Sequence, residues 1–361
     1  MKSLLDERHL VSSFYVFFLI YTNIIGIGIM SFQRDITKDA GYDAWISIIL
    51  SSISIHILVW MIYRILGIAK NDVIHVHKFC FGKWIGGLFN IFVIFYFLIL
   101  ALIVFRVYIE VVQVWLFPLM KTWQISLILL VLIYYVVSGG FRVITGMCFW
   151  TIIPFIILFP LNFFSLEFAN FHNLLPVFNH SLKEIVSSSK AMLFQYVGFE
   201  TLFMFYPFIK NPDRSQKWAH FGLLFSSLLY LIVALITFVF FSEGQLNHTI
   251  WPTLAEMKIA KFPLIERVEF IVVSIWLLLI LPNISVKIWA GCRAIKKVIN
   301  VKQRISLFIV LVLFFIIANV LKERSQIERL NEMYSNIAFY FVYLYIPFLF
   351  LYIHIKHKIT K

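Results

Sequence analysis

The apolar positions of this chain fall into runs of about twenty residues separated by short polar stretches, the pattern of helices that cross a bilayer. Ten runs are read, at roughly 10–31, 42–66, 85–108, 122–139, 143–164, 185–208, 218–242, 265–290, 304–321 and 334–355. Ten spans put both ends of the chain on one side of the membrane. Alternating ten-residue strands are absent, which excludes an outer-membrane barrel. The pattern predicts one all-α integral membrane domain over 1–361, with helices one to five in about 10–164 and helices six to ten in about 185–355.

Composition agrees: 61% of the residues are hydrophobic and 14% charged, far from the balance of a soluble domain. The start, Met1 to Arg8, does not read as a signal peptide, since acids follow the base and no small-residue cleavage site appears. The net charge of +13 has no soluble basic face to sit on, which argues against a nucleic-acid partner. The bases instead collect in alternate loops, among them Lys210, Arg214 and Lys217, then Arg293, Lys296, Lys297 and Lys302, with Lys356, Lys358 and Lys361 in the tail. By the positive-inside rule these loops and both termini are cytoplasmic. Cys80, Cys148 and Cys292 have no metal spacing and are expected to be reduced and packed. Two longer loops, 166–184 and 243–264, fall outside. The second contains Ile250-Trp251-Pro252-Thr253, expected to form a structured cap on the membrane face. Asn179-His180-Ser181 and Asn247-His248-Thr249 fit the glycosylation triplet, a pattern without meaning in a bacterium that lacks the machinery.

Two spans are flawed. The first ends in Asn23-Ile24-Ile25-Gly26-Ile27-Gly28, with Gln33, Arg34, Asp35, Lys38 and Asp39 following. Gly26 and Gly28 lower helix propensity inside the membrane. Either they let a neighbouring helix pack closely, or the helix loosens and turns backbone polar groups toward a wet cavity. The sixth span contains Gly198-Phe199-Glu200 and closes at Pro207. An unpaired carboxylate in hydrocarbon costs about 3 kcal/mol or more, so Glu200 is expected to face a partner, a ligand or water. Interrupted helices at matching places in two five-helix halves point to a midplane site of the transporter type. Half-helix ends of opposite polarity suit a ligand with both a carboxylate and an ammonium. The ligand site is therefore placed at Asn23, Gly26, Gly28, Gly198, Phe199 and Glu200, with Tyr96 and Trp276 as candidate walls. Arg106 and Glu110, four residues apart on one helix face, form either a local ion pair or an outer gate. Pro282-Asn283 is expected to loosen the eighth span toward the cytoplasm.

Taken in order, these features resemble the B subunits of bacterial spore germinant receptors, the spore-permease branch of the amino acid–polyamine–organocation superfamily. The resemblance rests on Asn23 to Gly28, Asp43-Ala44-Trp45-Ile46-Ser47, Gly82-Lys83-Trp84-Ile85-Gly86, Arg106 with Glu110, Gly198-Phe199-Glu200, Ile250 to Thr253, Glu266-Arg267-Val268-Glu269 and Met333-Tyr334-Ser335. It covers nearly the whole chain. One departure is Phe32-Gln33, where many members carry Leu-Pro; that proline would help end a half-helix.

The resemblance implies a LeuT-like, amino-acid-permease fold with a 5+5 inverted repeat and broken helices one and six. It also implies a nutrient-sensing role in the inner spore membrane. The implied partners are a membrane A subunit and a lipoprotein C subunit, alongside a small-molecule nutrient and membrane lipid. The alternative is a proton-coupled amino-acid transporter. An enzyme is not expected: no His-Glu-x-x-His, Gly-x-Ser-x-Gly or membrane aspartate pair is present, and neither His75-Val76-His77 nor Ser189-Lys190 has a supporting constellation. No cofactor or metal is called for.

Overall fold

A computed structural model describes residues 6–262 and 266–360. The first five residues of the leader reading, the end of the outer loop at Leu264, the start of the eighth span at Ile265 and the basic Lys361 lie outside these.

Each expected apolar run is helical. The first gives α1 (Tyr15–Ile24), a tight turn over Ile27–Met30, and α2 (Phe32–Ala40). The polar residues Gln33 to Asp39, expected after the span, are thus its second helical half. Then come α3 (Ala44–Ala69), α4 (Val73–Trp115), α5 (Thr122–Ser138), α6 (Phe141–Trp150) and α7 (Ile152–Leu158), the last running into a 3-10 stretch over Phe159–Phe168. The second flawed run is α8 (Leu182–Tyr196), a turn over Phe199–Thr201 and the single turn α9 (Leu202–Phe205). α10 (Pro212–Phe240) leads to two short helices, α11 (Glu243–His248) and α12 (Pro252–Met257), which form the expected cap. α13 (Val268–Ile299), α14 (Gln303–Val320), α15 (Arg324–Tyr340) and α16 (Ile346–Thr360) complete the chain. Among the described residues, seven helical stretches are long and apolar enough to cross a membrane, and α1 and α5 are shorter apolar helices.

Local chemistry sets the ends. Ser181 and Glu184 cap each other's backbone at the start of α8, satisfying amides that the first turn leaves without partners. Asp72 caps α4 and forms an ion pair with Lys297 near the end of α13, so the two longest helices are pinned at one end. α4 itself is interrupted at Gly82, whose φ of +75° no side-chain-bearing residue adopts readily.

Packing places the breaks at the centre. α13 lies along α4, α1 against α10, α10 against α3, and α2 against α8. One expectation fails here: Pro282 does not loosen α13, which continues as a helix to Ile299. A proline removes one backbone donor, but this helix is clamped between α4 and α1. Its next residues, Asn283 and Lys287, are drawn onto the break in the first span. Cys80, Cys148 and Cys292 are free and buried.

Candidate functional site

Both flawed spans are unwound. α1 stops at Ile24; Ile25 and Gly26 are extended, and helix resumes only after the Ile27–Met30 turn. α8 stops at Tyr196; Val197 is extended and Gly198 takes φ +129°. Unwinding frees backbone carbonyls that hydrocarbon cannot satisfy, and the protein meets four of them with side-chain donors. Asn283 Nδ2 donates to the carbonyls of Thr22 at 2.7 Å and Asn23 at 3.2 Å. The Tyr230 hydroxyl lies 3.1 Å from both Ile24 O and Gln195 O, so one side chain of α10 bridges the ends of both half-helices.

Lys287 is the residue that the sequence reading missed. Its ammonium is buried and faces four oxygens: Asn283 Oδ1 at 2.7 Å, Asn23 O and Asn283 O at 3.3 Å, and Asn23 Oδ1 at 3.4 Å. No carboxylate lies within ion-pair distance of it among the described residues. The cation stands at the carboxyl end of α1, where helix carbonyls carry partial negative charge. The signal was available as a base inside an apolar run. With the span taken to end near residue 290, a base three residues before its end draws no notice; α13 in fact runs on to Ile299.

Glu200 closes the second break on itself. One carboxylate oxygen accepts the Gly198 amide at 2.6 Å and the other accepts the Tyr96 hydroxyl at 2.8 Å. Tyr96 is held in turn by Tyr334, whose hydroxyl donates to the Tyr96 carbonyl at 3.1 Å. The Thr201 hydroxyl donates to Gly198 O at 2.8 Å.

A cavity of about 520 Å³ opens beside the first break, within the size range of small-molecule sites. Asn23, Gly26 and Gly28 are on its wall, with Gln195 and Val197 from α8 and Asn283 and Lys287 from α13. Its rim is charged: Arg34, Asp35, Lys38 and Asp39 of α2 face Arg324 and Glu328 of α15. Gly198, Phe199, Glu200 and Tyr96 are fully buried but are not on that wall. They lie behind it, where Glu200 fixes the shape of the break.

Two candidate roles are corrected. Trp276 does not line this cavity. It bounds a separate one of about 20 Å³ with Tyr21, Ile25 and Ile29. Ile25 and Ile29 of the unwound stretch face the small cavity with Trp276, while Gly26, Ile27 and Gly28 face the larger one. Nor do Arg106 and Glu110 pair with each other. Arg106 donates to the carbonyls of Leu321 at 2.7 Å and Lys322 at 3.3 Å, beyond the end of α14. Glu110 receives Arg324 at 2.8 Å, which also pairs with Glu328 at 2.9 Å and lies 5.3 Å from the centre of the Trp251 ring. A free helix end offers Arg106 better acceptors than a neighbour one turn along its own helix.

The architecture is that of a solved structure. The chain matches MhsT in complex with L-phenylalanine with a TM-score of 0.64 over 95% of this chain and 88% of that one, at 12% identity. This establishes a shared fold. Among sequence relatives, the spore germination protein GerQB of Bacillus cereus is 42% identical over 338 residues, 93% of this chain and 94% of its own length. YndE, a spore germination protein of Bacillus subtilis (strain 168), is 25% identical over 330 residues, 89% and 90% of the two chains. Residues 10–327 match the spore permease family, described as "Spore germination protein". Apolar helices, a permease-type fold and this coverage agree: the chain is an integral membrane protein and belongs to the spore permease family of spore germination proteins.

Proposed function

We propose that this chain is the nutrient-sensing subunit of a spore germination receptor. A small molecule such as an amino acid binds at the midplane, in the cavity beside the two interrupted helices. The observation that carries this reading is the cavity itself: two unwound helices meet beside it, and Asn23, Gly26, Gly28, Gln195 and Lys287 give it polar atoms at membrane depth. The reading takes the helices as ten spans in two five-helix halves, with both termini on the spore-core side of the inner membrane. Binding favours one of two packings of the bundle, and the change passes through helix faces to a membrane A subunit and a lipoprotein C subunit.

The test replaces Gly28, which is on the cavity wall and where a Cβ meets only the end of the Gln195 side chain, with alanine and assays germination against nutrient concentration. A shifted or lost response at normal protein level supports the site; an unchanged dose response removes it. Thermal-shift screening of the purified complex against L-amino acids, sugars and nucleosides identifies the ligand.

A second reading is a proton-coupled amino-acid transporter. Glu200 and Lys287, two buried ionisable groups on the two breaks, favour it. Uptake of labelled amino acid by vesicles holding this chain alone, dependent on a proton gradient, decides for transport over sensing.

A further inference from the structure

The outer cap carries a buried acid that the ligand site does not use. α12 lies between α10 and α13, outside the spanning helices, and packs on the Ile27–Met30 turn. Thr253 ties it down: its hydroxyl donates to Ile29 O at 2.9 Å and accepts Gln33 Nε2 at 2.6 Å. Ile250 and Trp251, just before α12, are on the wall of the main cavity, so the cap both covers the first break and borders the cavity.

Glu256 is three residues beyond Thr253 and shares its face of the short helix. It is 0% exposed, and neither carboxylate oxygen has a hydrogen-bond partner. Gln33 Oε1 nearby is likewise buried without a donor. The donors of this cluster are already committed. Gln33 Nε2 gives its hydrogens to Thr253 and to Thr237 at 3.1 Å, Thr253 gives its own to Ile29, and Thr237 gives its own to Val233 O at 2.9 Å. The cluster holds more acceptors than donors: the Thr237 hydroxyl, beside the carboxylate, can serve either Val233 O or Glu256 but not both. A bare carboxylate sealed there is strongly disfavoured; a protonated one supplies the missing donor and carries no charge.

We propose that Glu256 is a proton-binding site that latches the cap: α12 stays docked on the first break while Glu256 holds a proton, and lifts when the proton is lost. The elements packed on α12 bring no countercharge. Among the described residues, Ile27–Met30 has no ionisable group and the 3-10 stretch has only exposed Glu167; α13 brings Glu269, paired with Arg267 at 3.0 Å, and farther along Lys287, committed to Asn23 and Asn283 oxygens, with Arg293, Lys296 and Lys297 near its end. The charged residues of α10, Asp213, Arg214 and Lys217, lie in its first turns, about twenty residues before Thr237 and so about 30 Å away along the helix; His220, a turn further on, is paired with His56. Lys258, next along the cap, lies over the Trp115 ring. Consistently, burial pushes Glu256 up from 4.5 to about 8, outweighing the opposite pull of the Thr237 hydroxyl beside it. The sign follows: docking is fully favoured below the undocked value near 4.5 and is lost as pH rises toward 8.

The test is hydrogen exchange of the full chain in lipid nanodiscs at about pH 5.5 and about pH 7.5, corrected for intrinsic rates. A single proton gives up to about tenfold per pH unit, so the wild-type cap (residues 250–260) loses up to about a hundredfold protection over this range. Glu256→Gln, a neutral mimic of the protonated acid, shows no such dependence. A wild-type cap equally protected at both pH values overturns the proposal, as does a Gln variant that keeps the wild-type dependence. Should that variant misfold, the wild-type data still decide. Loss confined to the cap and residues 27–33 supports the latch, and uniform loss across the helices overturns it.

Discussion

The backbone carbonyl of Asn23 occupies the space where Gly198 would carry a side chain. A Cβ at Gly198 would collide with Asn23 O and stand 3.1 Å from its carbonyl carbon. The two interrupted helices therefore touch backbone to backbone, at a residue whose φ of +129° already excludes ordinary side chains. Gly198→Ala should cost at least about 2 kcal/mol, from strain and overpacking together. A drop in melting temperature with loss of the nutrient response is expected. Gly87→Ala is the control: nothing lies within 4 Å of a Cβ there, and alanine favours helix by up to about 1 kcal/mol.

Gly28 offers an instructive contrast. A Cβ there meets the end of the Gln195 side chain, not backbone. Gln195 can swing away, so Gly28→Ala should leave the melting temperature close to wild type. It should still alter ligand response, because both residues are on the cavity wall. Equal destabilisation by the two alanines would show that Gln195 is fixed and that the wall is rigid.

These two glycines also show how far the sequence could be read. Gly26, Gly28 and Gly198 pointed to the breaks, although close helix packing, as at Gly222 against Phe17, places glycine in an apolar run as well. Asn23 sits beside them and came with them. What sequence spacing could not reveal is which side of an unwound strand faces the ligand. Trp276 and Tyr96 were reasonable walls by depth alone, yet one faces the opposite side of the break and the other serves Glu200. Lys287 was hidden by a boundary error, since a base near a span's end is ordinary while one twelve residues before it is not. Arg324 was hidden because its partners Glu110 and Trp251 are distant in sequence.

The role of Glu200 can be separated from that of a ligand contact. If it holds the break, Glu200→Leu leaves the Gly198 amide and the Tyr96 hydroxyl buried without acceptors, at about 1–3 kcal/mol each. Glu200→Gln keeps one acceptor oxygen and should lose less. Chemical denaturation in detergent should rank wild type above Gln and Gln well above Leu. Equal stability of the Leu and Gln variants would mean that the carboxylate does not hold the break.

Arg324 joins α15 to α4 through Glu110 and to the cap through Trp251. The guanidinium is partly exposed, so the contacts should add no more than about 1 kcal/mol to stability. Their effect should appear in access. With Arg324→Ala, a cysteine placed at Ala191 on the cavity wall should react faster with a water-soluble maleimide added from outside. Unchanged labelling would mean that this contact does not close the cavity.

Lys287 brings stability and function into opposition. Its ammonium is held by Asn23 and Asn283 oxygens with no carboxylate in ion-pair contact. Burying such a charge costs several kcal/mol. Lys287→Met removes that cost, keeps an unbranched apolar chain in place, and leaves the Asn283 side-chain oxygen short of a donor at about 1–3 kcal/mol. The two terms oppose each other, so the variant should melt within a few degrees of wild type. A residue kept for stability alone would then be replaceable. If the cation instead sets the charge of the cavity and the shape of the first break, the same variant should abolish the nutrient response at normal protein level. Spores carrying Lys287→Met that germinate with an unaltered dose response would show that this buried charge does not serve sensing.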